Sequence, residues 1–268
     1  MSDAIVTTVS GATFPAKYNI NFTPAQLGAA ILLWLAADKG TTVSGTAITN
    51  WASQAPAAGP SLVSTGVSAA NLTASVQNGR PGIVFAGDGT AANRAVLETA
   101  VTLGALNFDT NVPFTIFLAV KWGISPSAQT VILQQCASSL GWEVIREAGG
   151  GRTGLYFFNG SSEGFSRYST MGTASTTQLI TLKYSGASNG GAGITGYLNG
   201  SSQTADTFDT SAGFHFATSG PVPFGIDIDG GGAGDLSSYL EVVICAGALS
   251  DTDRGKVETY LNTKWAIF

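Results

Sequence analysis

The stretch Tyr239-Leu-Glu-Val-Val-Ile-Cys-Ala246 decides the fold, together with Ser250-Asp-Thr-Asp253, which follows after a short loop. Alternate positions of the first part form one unbroken apolar face: Leu240, Val242, Ile244 and Ala246. Strict alternation of this kind predicts a strand with that face in the core. Glu241 marks the opposite face as partly exposed to water.

The second part predicts the start of a helix. Ser250 is placed to accept a hydrogen bond from the third helical N–H, and Asp253 to reach back toward the cap. Lys264 suits the negative end of the helix dipole. Four apolar residues fall on one face at helical spacing: Val257, Tyr260, Leu261 and Trp265. We therefore expect the C-terminal helix to pack flat against a sheet.

Other landmarks accompany this ending, namely Leu33-Trp-Leu-Ala-Ala-Asp38, Trp51, Gly79-Arg-Pro-Gly-Ile-Val-Phe-Ala-Gly87, Phe114-Thr-Ile-Phe-Leu-Ala-Val120 and Tyr197-Leu-Asn-Gly200. In this order they resemble concanavalin A-like, laminin-G-like jelly-roll domains. The resemblance implies an all-β, two-sheet antiparallel jelly-roll sandwich with a C-terminal helix. It places one domain at residues 23–268 and leaves residues 1–22 outside as an N-terminal arm.

The strand pattern agrees with this fold class. Thr23-Pro24 predicts a brief helix over 25–28 that leads into a strand at Ile31–Leu35. Residues 39–80 predict irregular loops and short strands. Further strands are expected at Gly82–Ala86, Val96–Thr99, Phe114–Trp122, Val131–Gln135, Trp142–Glu147, Leu155–Phe158, Gly164–Tyr168, Leu179–Tyr184, Ile194–Leu198, Phe214–Ala217, Phe224–Ile228 and Leu240–Ala246. Glycine-rich or Asn-Gly turns separate many of them, as in antiparallel hairpins.

The composition narrows the classes of function. Only 11% of the residues are charged and the formal net charge is -5, so no basic surface for nucleic acid or an anionic membrane is expected. The N-terminus lacks the features of a signal peptide, and the apolar run at Ala29–Ala37 is too short to span a bilayer. We therefore expect synthesis in a cytoplasm. Cys136 and Cys245 are interpreted as small apolar residues rather than a disulfide.

Two motifs are similar to catalytic or cofactor signatures. Gly149-Gly-Gly-Arg-Thr-Gly154 matches the dinucleotide fingerprint, but strands flank it where that site needs a following helix. Gly160-Ser-Ser-Glu-Gly164 matches the nucleophile elbow around Ser162, with Asp206, Asp209 and His215 downstream. A strand again follows instead of a helix. Both are therefore interpreted as hairpin loops, without nucleotide binding or a serine nucleophile.

An acidic loop is the candidate metal site. Asp227, Asp229 and Asp235 surround a run of glycines, and oxygen ligands on such a loop could bind calcium. The alternative is a solvated hairpin loop. No other cofactor is expected. A glycosidase of this fold family would carry alternating acids along a strand, and here the second Glu and the surrounding Trp are missing.

Aromatic residues are the candidate glycan-binding groups. A ring on an exposed sheet face could stack against a sugar, and the candidates are Trp51, Trp122, Trp142, Tyr156 and Tyr168. The alternative for each is an ordinary place in the core.

The resemblance extends to jelly-roll domains of bacteriophage virions. It implies a non-enzymatic surface protein of the capsid-decoration, head-fibre or tail-fibre type, which stabilises the particle or binds host glycans. A carbohydrate-binding module outside a virion and a glycan-cleaving enzyme are the alternatives. The apolar residues of the arm at 1–22 predict burial on the domain itself or, preferably, on a neighbouring subunit, with a trimer expected on a capsid.

Overall fold

The computed structural model describes residues 22–57, 59–66, 68–85, 95–99, 104–108, 111–125, 129–137, 140–149, 151–160, 163–187, 190–209, 223–226 and 237–268. The strands are β1 Ile31–Ala36, β2 Thr41–Ser44, β3 Ala47–Ala52, β4 Ser61–Ser64, β5 Ala70–Gln77, β6 Arg80–Phe85, β7 Leu97–Thr99, β8 Phe114–Lys121, β9 Thr130–Ala137, β10 Leu140–Arg146, β11 Thr153–Asn159, β12 Glu163–Tyr168, β13 Thr177–Tyr184, β14 Ile194–Leu198, β15 Ser201–Gln203, β16 Thr207–Asp209, β17 Gly225–Ile226 and β18 Ser238–Ala246. The helix α1 spans Asp251–Trp265, and 3-10 helices lie at Pro24–Ala30, Gly104–Leu106 and Gly190–Gly193.

The strands form two antiparallel layers. The first follows the order β1-β18-β8-β13-β14-β15. The second follows β3-β4-β7-β17-β9-β10-β11-β12-β16, with β2 also paired to β3. The hairpin β5-β6 joins them, because β6 pairs with the start of β18 and β5 meets β3. The predicted all-β sandwich with a C-terminal helix is confirmed.

Aromatic rings fill the space between the layers. Phe114 on β8 lies 5.9 Å from the ring of Trp142 on β10 and 5.6 Å from that of Tyr184 on β13. Phe157 on β11 meets the Tyr184 ring at 4.7 Å. Ring pairs across two sheets of this kind exclude water and add specific contacts to the area they bury.

The organising stretch forms nearly as predicted. Ser250 caps α1, since its Oγ accepts a hydrogen bond from the N–H of Asp253 at 3.1 Å. Val257, Leu261 and Trp265 are buried, and Tyr260 packs against the same core. The expectation for Glu241 is wrong: it is 0% exposed, because α1 covers the outer face of β18. A strand buried on both faces leaves its one acid no access to water.

The brief helix predicted after Thr23 is present, and Cys245 is buried as expected, whereas Cys136 is only partly buried. The N–H of Thr23 donates to Oε1 of Gln26 at 2.9 Å, at the start of the first 3-10 helix. Within the described chain, Cys136 and Cys245 are not joined by a disulfide. Burial raises the pKa of the Cys245 thiol to about 12, so this thiol stays protonated and unreactive at neutral pH.

Candidate functional site

The five rings predicted to bind glycans all lie inside the protein. Trp51, Trp122, Trp142, Tyr156 and Tyr168 are each at most 1% exposed. The three indoles donate to internal acceptors, namely the Ala36 carbonyl, the Gln178 amide oxygen and the Leu106 carbonyl. A ring in this position presents no face to a sugar, so the structure does not support stacking by these residues. Their size places them where they bury the most apolar area.

The other candidate positions are only partly described. Asp227, Asp229 and Asp235 lie outside the described residues, so the calcium proposal remains a prediction from the sequence. Ser162 and His215 lie outside them as well. Among the residues that the structure does describe, no three His, Cys, Asp or Glu side chains come together as a metal site would require.

Both glycine motifs connect paired strands, as predicted. The first joins β10 to β11, with Arg146 opposite Thr153. Gly149 and Gly151 adopt φ values of 81° and 99°, which only glycine takes readily. The second motif joins β11 to β12, two antiparallel neighbours. Neither is followed by the helix that a nucleotide site or a nucleophile elbow needs.

A separate cluster lies on the outer face of the second sheet. Trp142, Val144, Leu155 and Phe157 belong to the core between the layers, whereas their neighbours along β10 and β11 point the opposite way. There Tyr156 packs with three other buried residues: Val131, Ile145 and Phe165. The Tyr156 and Phe165 rings lie 5.1 Å apart at 27°, and Phe158 stacks on Tyr156 at 6.2 Å. Adjacent strands thus form a continuous aromatic layer.

A charged pair sits on this aromatic layer. The guanidinium carbon of Arg167 lies 4.0 Å from the centre of the Phe165 ring and 5.4 Å from that of Tyr156. Its Nε lies 3.4 Å from Oε1 of Glu147, and the two side chains are 21% and 23% exposed. We call Glu147, Tyr156, Phe158, Phe165 and Arg167 the Arg167 cluster. The Tyr156 and Phe165 rings are buried, the Phe158 ring is partly buried, and the two charges reach the surface.

The Arg167 cluster has unused hydrogen-bonding capacity. The Tyr156 hydroxyl donates to Oε1 of Glu147, the same oxygen that faces Arg167. Within the described chain, no hydrogen bond is made to Oε2 of Glu147. The 3.4 Å separation is an ion pair rather than a hydrogen bond, and Nε of Arg167 is buried without a hydrogen-bond partner among the described residues. A guanidinium carries five N–H donors and a carboxylate about four acceptor sites.

Burial and then the hydrogen bond to Glu147 raise the pKa of Tyr156 far above its usual range. The hydroxyl therefore remains a donor at any physiological pH. This holds the Glu147 carboxylate in one orientation, with Oε2 directed away from the hydroxyl. A second pair, Arg152 to Asp206 at 3.0 Å, lies alongside, since the Asp206 N–H donates to the Arg167 carbonyl.

A second carboxylate centre lies under α1. Glu241 Oε1 accepts from Trp34 Nε1 at 2.6 Å and from the Tyr260 hydroxyl at 3.1 Å. Its Oε2 accepts from Trp265 Nε1 at 2.7 Å and lies 2.8 Å from Lys264 Nζ. Four donors use all four acceptor sites, so this carboxylate has nothing left for a substrate. We call these five residues the Glu241 centre.

Sequence reasoning named Tyr156 but missed its partners. Tyr156 and Phe158 alternate along one strand, as do Phe165 and Arg167 along the next, and this alternation was the available signal. It shows which residues share a face, but not which strands are neighbours. Glu147 directly follows β10, and its position next to Tyr156 could be predicted only with the register of the β10–β11 hairpin.

Comparisons with known proteins bear on the fold. No family model matches the chain, and no curated protein matches it. The solved structures that it resembles include a botulinum neurotoxin type C chain described as binding two ganglioside molecules, with a TM-score of 0.62, 12% identity and coverage of 89% of this chain and 53% of that one. Another is the binding domain of botulinum neurotoxin DC in complex with rat synaptotagmin II, with a TM-score of 0.58, 12% identity and coverages of 87% and 51%.

A third similar structure is the binding domain of Paraclostridial Mosquitocidal Protein 1, with a TM-score of 0.57, 12% identity and coverages of 88% and 52%. The chain thus spans about half the length of the structures that it resembles. At this level of identity the likeness shows a shared β-sandwich fold. Among the helices of the described residues, none has the length and hydrophobicity that crossing a membrane requires.

Proposed function

We propose that the protein is a non-enzymatic glycan-binding surface module and that the Arg167 cluster is its binding site. The observation that carries the proposal is the unused pairing capacity of Glu147 and Arg167 on a layer of aromatic rings. Sugars present hydroxyl groups that both donate and accept, beside apolar C–H faces. A carboxylate oxygen, a planar guanidinium and a ring edge match those three features.

The geometry suggests how a sugar would be held. Oε2 of Glu147 would accept from one hydroxyl, and the guanidinium of Arg167 would donate to a neighbouring oxygen. Both partners are already positioned, because the Tyr156 hydroxyl fixes the carboxylate and the Phe165 ring supports the guanidinium at 4.0 Å. Preorganised groups of this kind lose little entropy on binding.

The structural neighbours support recognition in general. One is the binding domain of botulinum neurotoxin DC in complex with SialylT, and another is botulinum neurotoxin type C, whose cell entry depends on interaction with two ganglioside molecules. The chain covers about half of each of these structures, and both ligands are those of the neurotoxins. We also propose that the protein is not an enzyme. Glu241, the most deeply buried carboxylate of the described residues, accepts from four donors and so has no free oxygen for acid or base catalysis.

The setting that we propose is a bacteriophage virion, as a capsid-decoration, head-fibre or tail-fibre protein. The support is the sequence resemblance to jelly-roll domains of such proteins. The partners would then be other virion proteins or further copies of this chain, with a trimer expected from the sequence. Detection of the protein in purified particles, with its mass measured by light scattering, tests this setting separately from glycan binding.

A glycan array tests the binding function directly. The intact protein should bind a defined subset of glycans, and Arg167→Ala should reduce binding at least about tenfold, the equivalent of one lost hydrogen-bonded contact of about 1.4 kcal/mol. The matched control is Arg80→Ala, since Arg80 has a 44% exposed side chain and pairs with Asp38 far from the cluster. Equal binding by both variants would reject the site, and shortened glycans in the supernatant would reject the non-enzymatic interpretation.

A further inference from the structure

A groove of about 1100 Å3 runs beside α1, apart from the Arg167 cluster. One wall is α1 itself, and the other includes Phe22 and Leu27 at the first 3-10 helix. All the exposed residues of α1 line the groove, namely Asp251, Thr252, Lys256, Thr259 and Thr263. The helix therefore has one face on the sheet and its most exposed positions on the groove.

The described chain starts inside this groove. Phe22, the first described residue, lines it and packs against the core. The direction of the chain is fixed there, because the N–H of Thr23 donates to Gln26 Oε1 and Pro24 is buried. Phe22, the first residue of the described chain, is thus held at the groove.

The preceding residues have the pattern of a half-buried extended segment. Tyr18, Ile20 and Phe22 alternate with Asn19 and Asn21. Eight extended residues, 14–21, reach about 26 Å at about 3.3 Å per residue. The 15 residues of α1 extend about 22 Å at 1.5 Å per residue. The segment is thus long enough to follow the whole helix.

The groove provides suitable contacts. Leu27 and the Tyr260 ring offer apolar surface, and the three threonines along α1 offer hydroxyls. An extended segment needs apolar surface for alternate side chains and polar partners for its backbone N–H and C=O groups.

We propose that residues 14–21 of the same chain occupy the α1 groove. The sequence alone favours a neighbouring subunit, but a segment that enters the groove without a linker has an effective concentration on the order of millimolar or more. A second copy would have to compete with that. The bound segment would cover the exposed surface of α1 and leave the Arg167 cluster open.

Trypsin provides the test, because Lys17 is the only Lys or Arg before Lys39. Release of residues 1–17 from the full chain is followed by mass spectrometry. Thr259→Glu places a charge in the middle of the groove, and Thr204→Glu makes the same change at an exposed position outside it. We expect release to be at least about tenfold faster for Thr259→Glu, with Thr204→Glu equal to the unmodified chain. Equal melting temperatures establish that all three are folded.

Dilution distinguishes the chain's own segment from that of another copy. Protection of Lys17 should persist on about hundredfold dilution, and deletion of residues 1–21 should leave the number of chains per particle unchanged in light scattering. Equal release from all three proteins would overturn the docking. Protection that is lost on dilution, with fewer chains per particle after the deletion, would place the segment on a neighbouring copy instead.

Discussion

Two carboxylates on opposite outer faces of the sandwich share the same chemistry and differ in burial. Glu241 and Glu147 each accept a tyrosine hydroxyl and face a cation. Glu241 is 0% exposed and uses both oxygens, whereas the Glu147 side chain is 23% exposed and uses one. Burying a charged carboxylate costs free energy unless hydrogen bonds and a cation compensate it, whereas water can solvate a carboxylate at the surface. The same kinds of group therefore hold α1 in place at the Glu241 centre, whereas at the Arg167 cluster they are available for the recognition that we propose.

Removing the buried carboxylate should have the largest effect. Glu241→Ala removes the acceptor of two indole N–H groups under α1 and one of the two acidic partners of Lys264, which should cost about 3 to 5 kcal/mol of unfolding free energy. Glu147→Ala should cost about 1 kcal/mol or less, because water replaces the lost contacts. Urea denaturation of both variants measures the difference. Similar losses would mean that burial does not distinguish the two centres.

High pH should weaken the fold through groups that burial keeps protonated. The pKa of Tyr168 is raised from 10.0 to about 12 and that of Cys245 from 9.0 to about 12, in both cases by burial first. Stability from a raised pKa is complete below the ordinary value and is lost as pH rises toward the folded one. Cys245 between pH 9 and pH 12, and Tyr168 between pH 10 and pH 12, should therefore each remove up to about 1.4 kcal/mol of stability per pH unit.

The tyrosines of the two centres sharpen that measurement. Burial comes first in raising the pKa of both Tyr260 and Tyr156 above their ordinary values, and the neighbouring carboxylates add to it. Replacing either by Phe should reduce the loss of stability above about pH 10. Denaturation midpoints across the alkaline range provide the readout. A midpoint that is independent of pH up to 12 would contradict the burial of these hydroxyls.

The cap of α1 should have a smaller effect. Ser250→Ala removes the acceptor for the Asp253 N–H and should cost about 1 kcal/mol. Ser201→Ala, at an exposed position on β15, should change the stability by less than about 0.5 kcal/mol. An unchanged denaturation midpoint for Ser250→Ala would show that the covering of Glu241 does not depend on this cap.

The hairpin loop between β11 and β12 should show no reaction with a serine-directed reagent. Because paired strands flank Gly160–Gly164, a fluorophosphonate should leave Ser162 unlabelled. Mass spectrometry of the treated protein detects the adduct. Stoichiometric labelling that disappears in Ser162→Ala would contradict both the hairpin and the non-enzymatic proposal.

Local chemistry in the sequence predicted β18 and α1 well. The alternation along Tyr239–Ala246 and the cap at Ser250 each depend on residues that are close together in the sequence. The burial of Glu241 depended instead on Trp34, which lies 207 residues away along the chain. An acidic residue on a strand indicates a solvent-exposed face only when no other element packs on that face. The local sequence pattern does not predict such packing.

The candidate site was less predictable for a related reason. The sequence indicated that Tyr156 could contact a sugar, and the structure buries its ring at 1% exposure beneath Arg167 and Glu147. Recognition at this site is then expected from the two charges above the ring, and the ring and the charges together come from three different stretches of chain. Their assembly follows from strand order, and alternation within one strand does not specify that order.

We propose that Glu147 serves recognition and Glu241 serves structure, and one paired measurement tests this difference. Glu147→Gln and Glu241→Gln are each assayed for unfolding free energy and for affinity toward a glycan that the intact protein binds. We predict that Glu147→Gln folds within about 1 kcal/mol of the intact protein and loses at least about tenfold in affinity. Glu241→Gln should lose about 3 kcal/mol of stability while its folded fraction binds normally. Unchanged glycan affinity in Glu147→Gln would contradict the recognition role of Glu147, and unchanged stability in Glu241→Gln would contradict the structural role of Glu241.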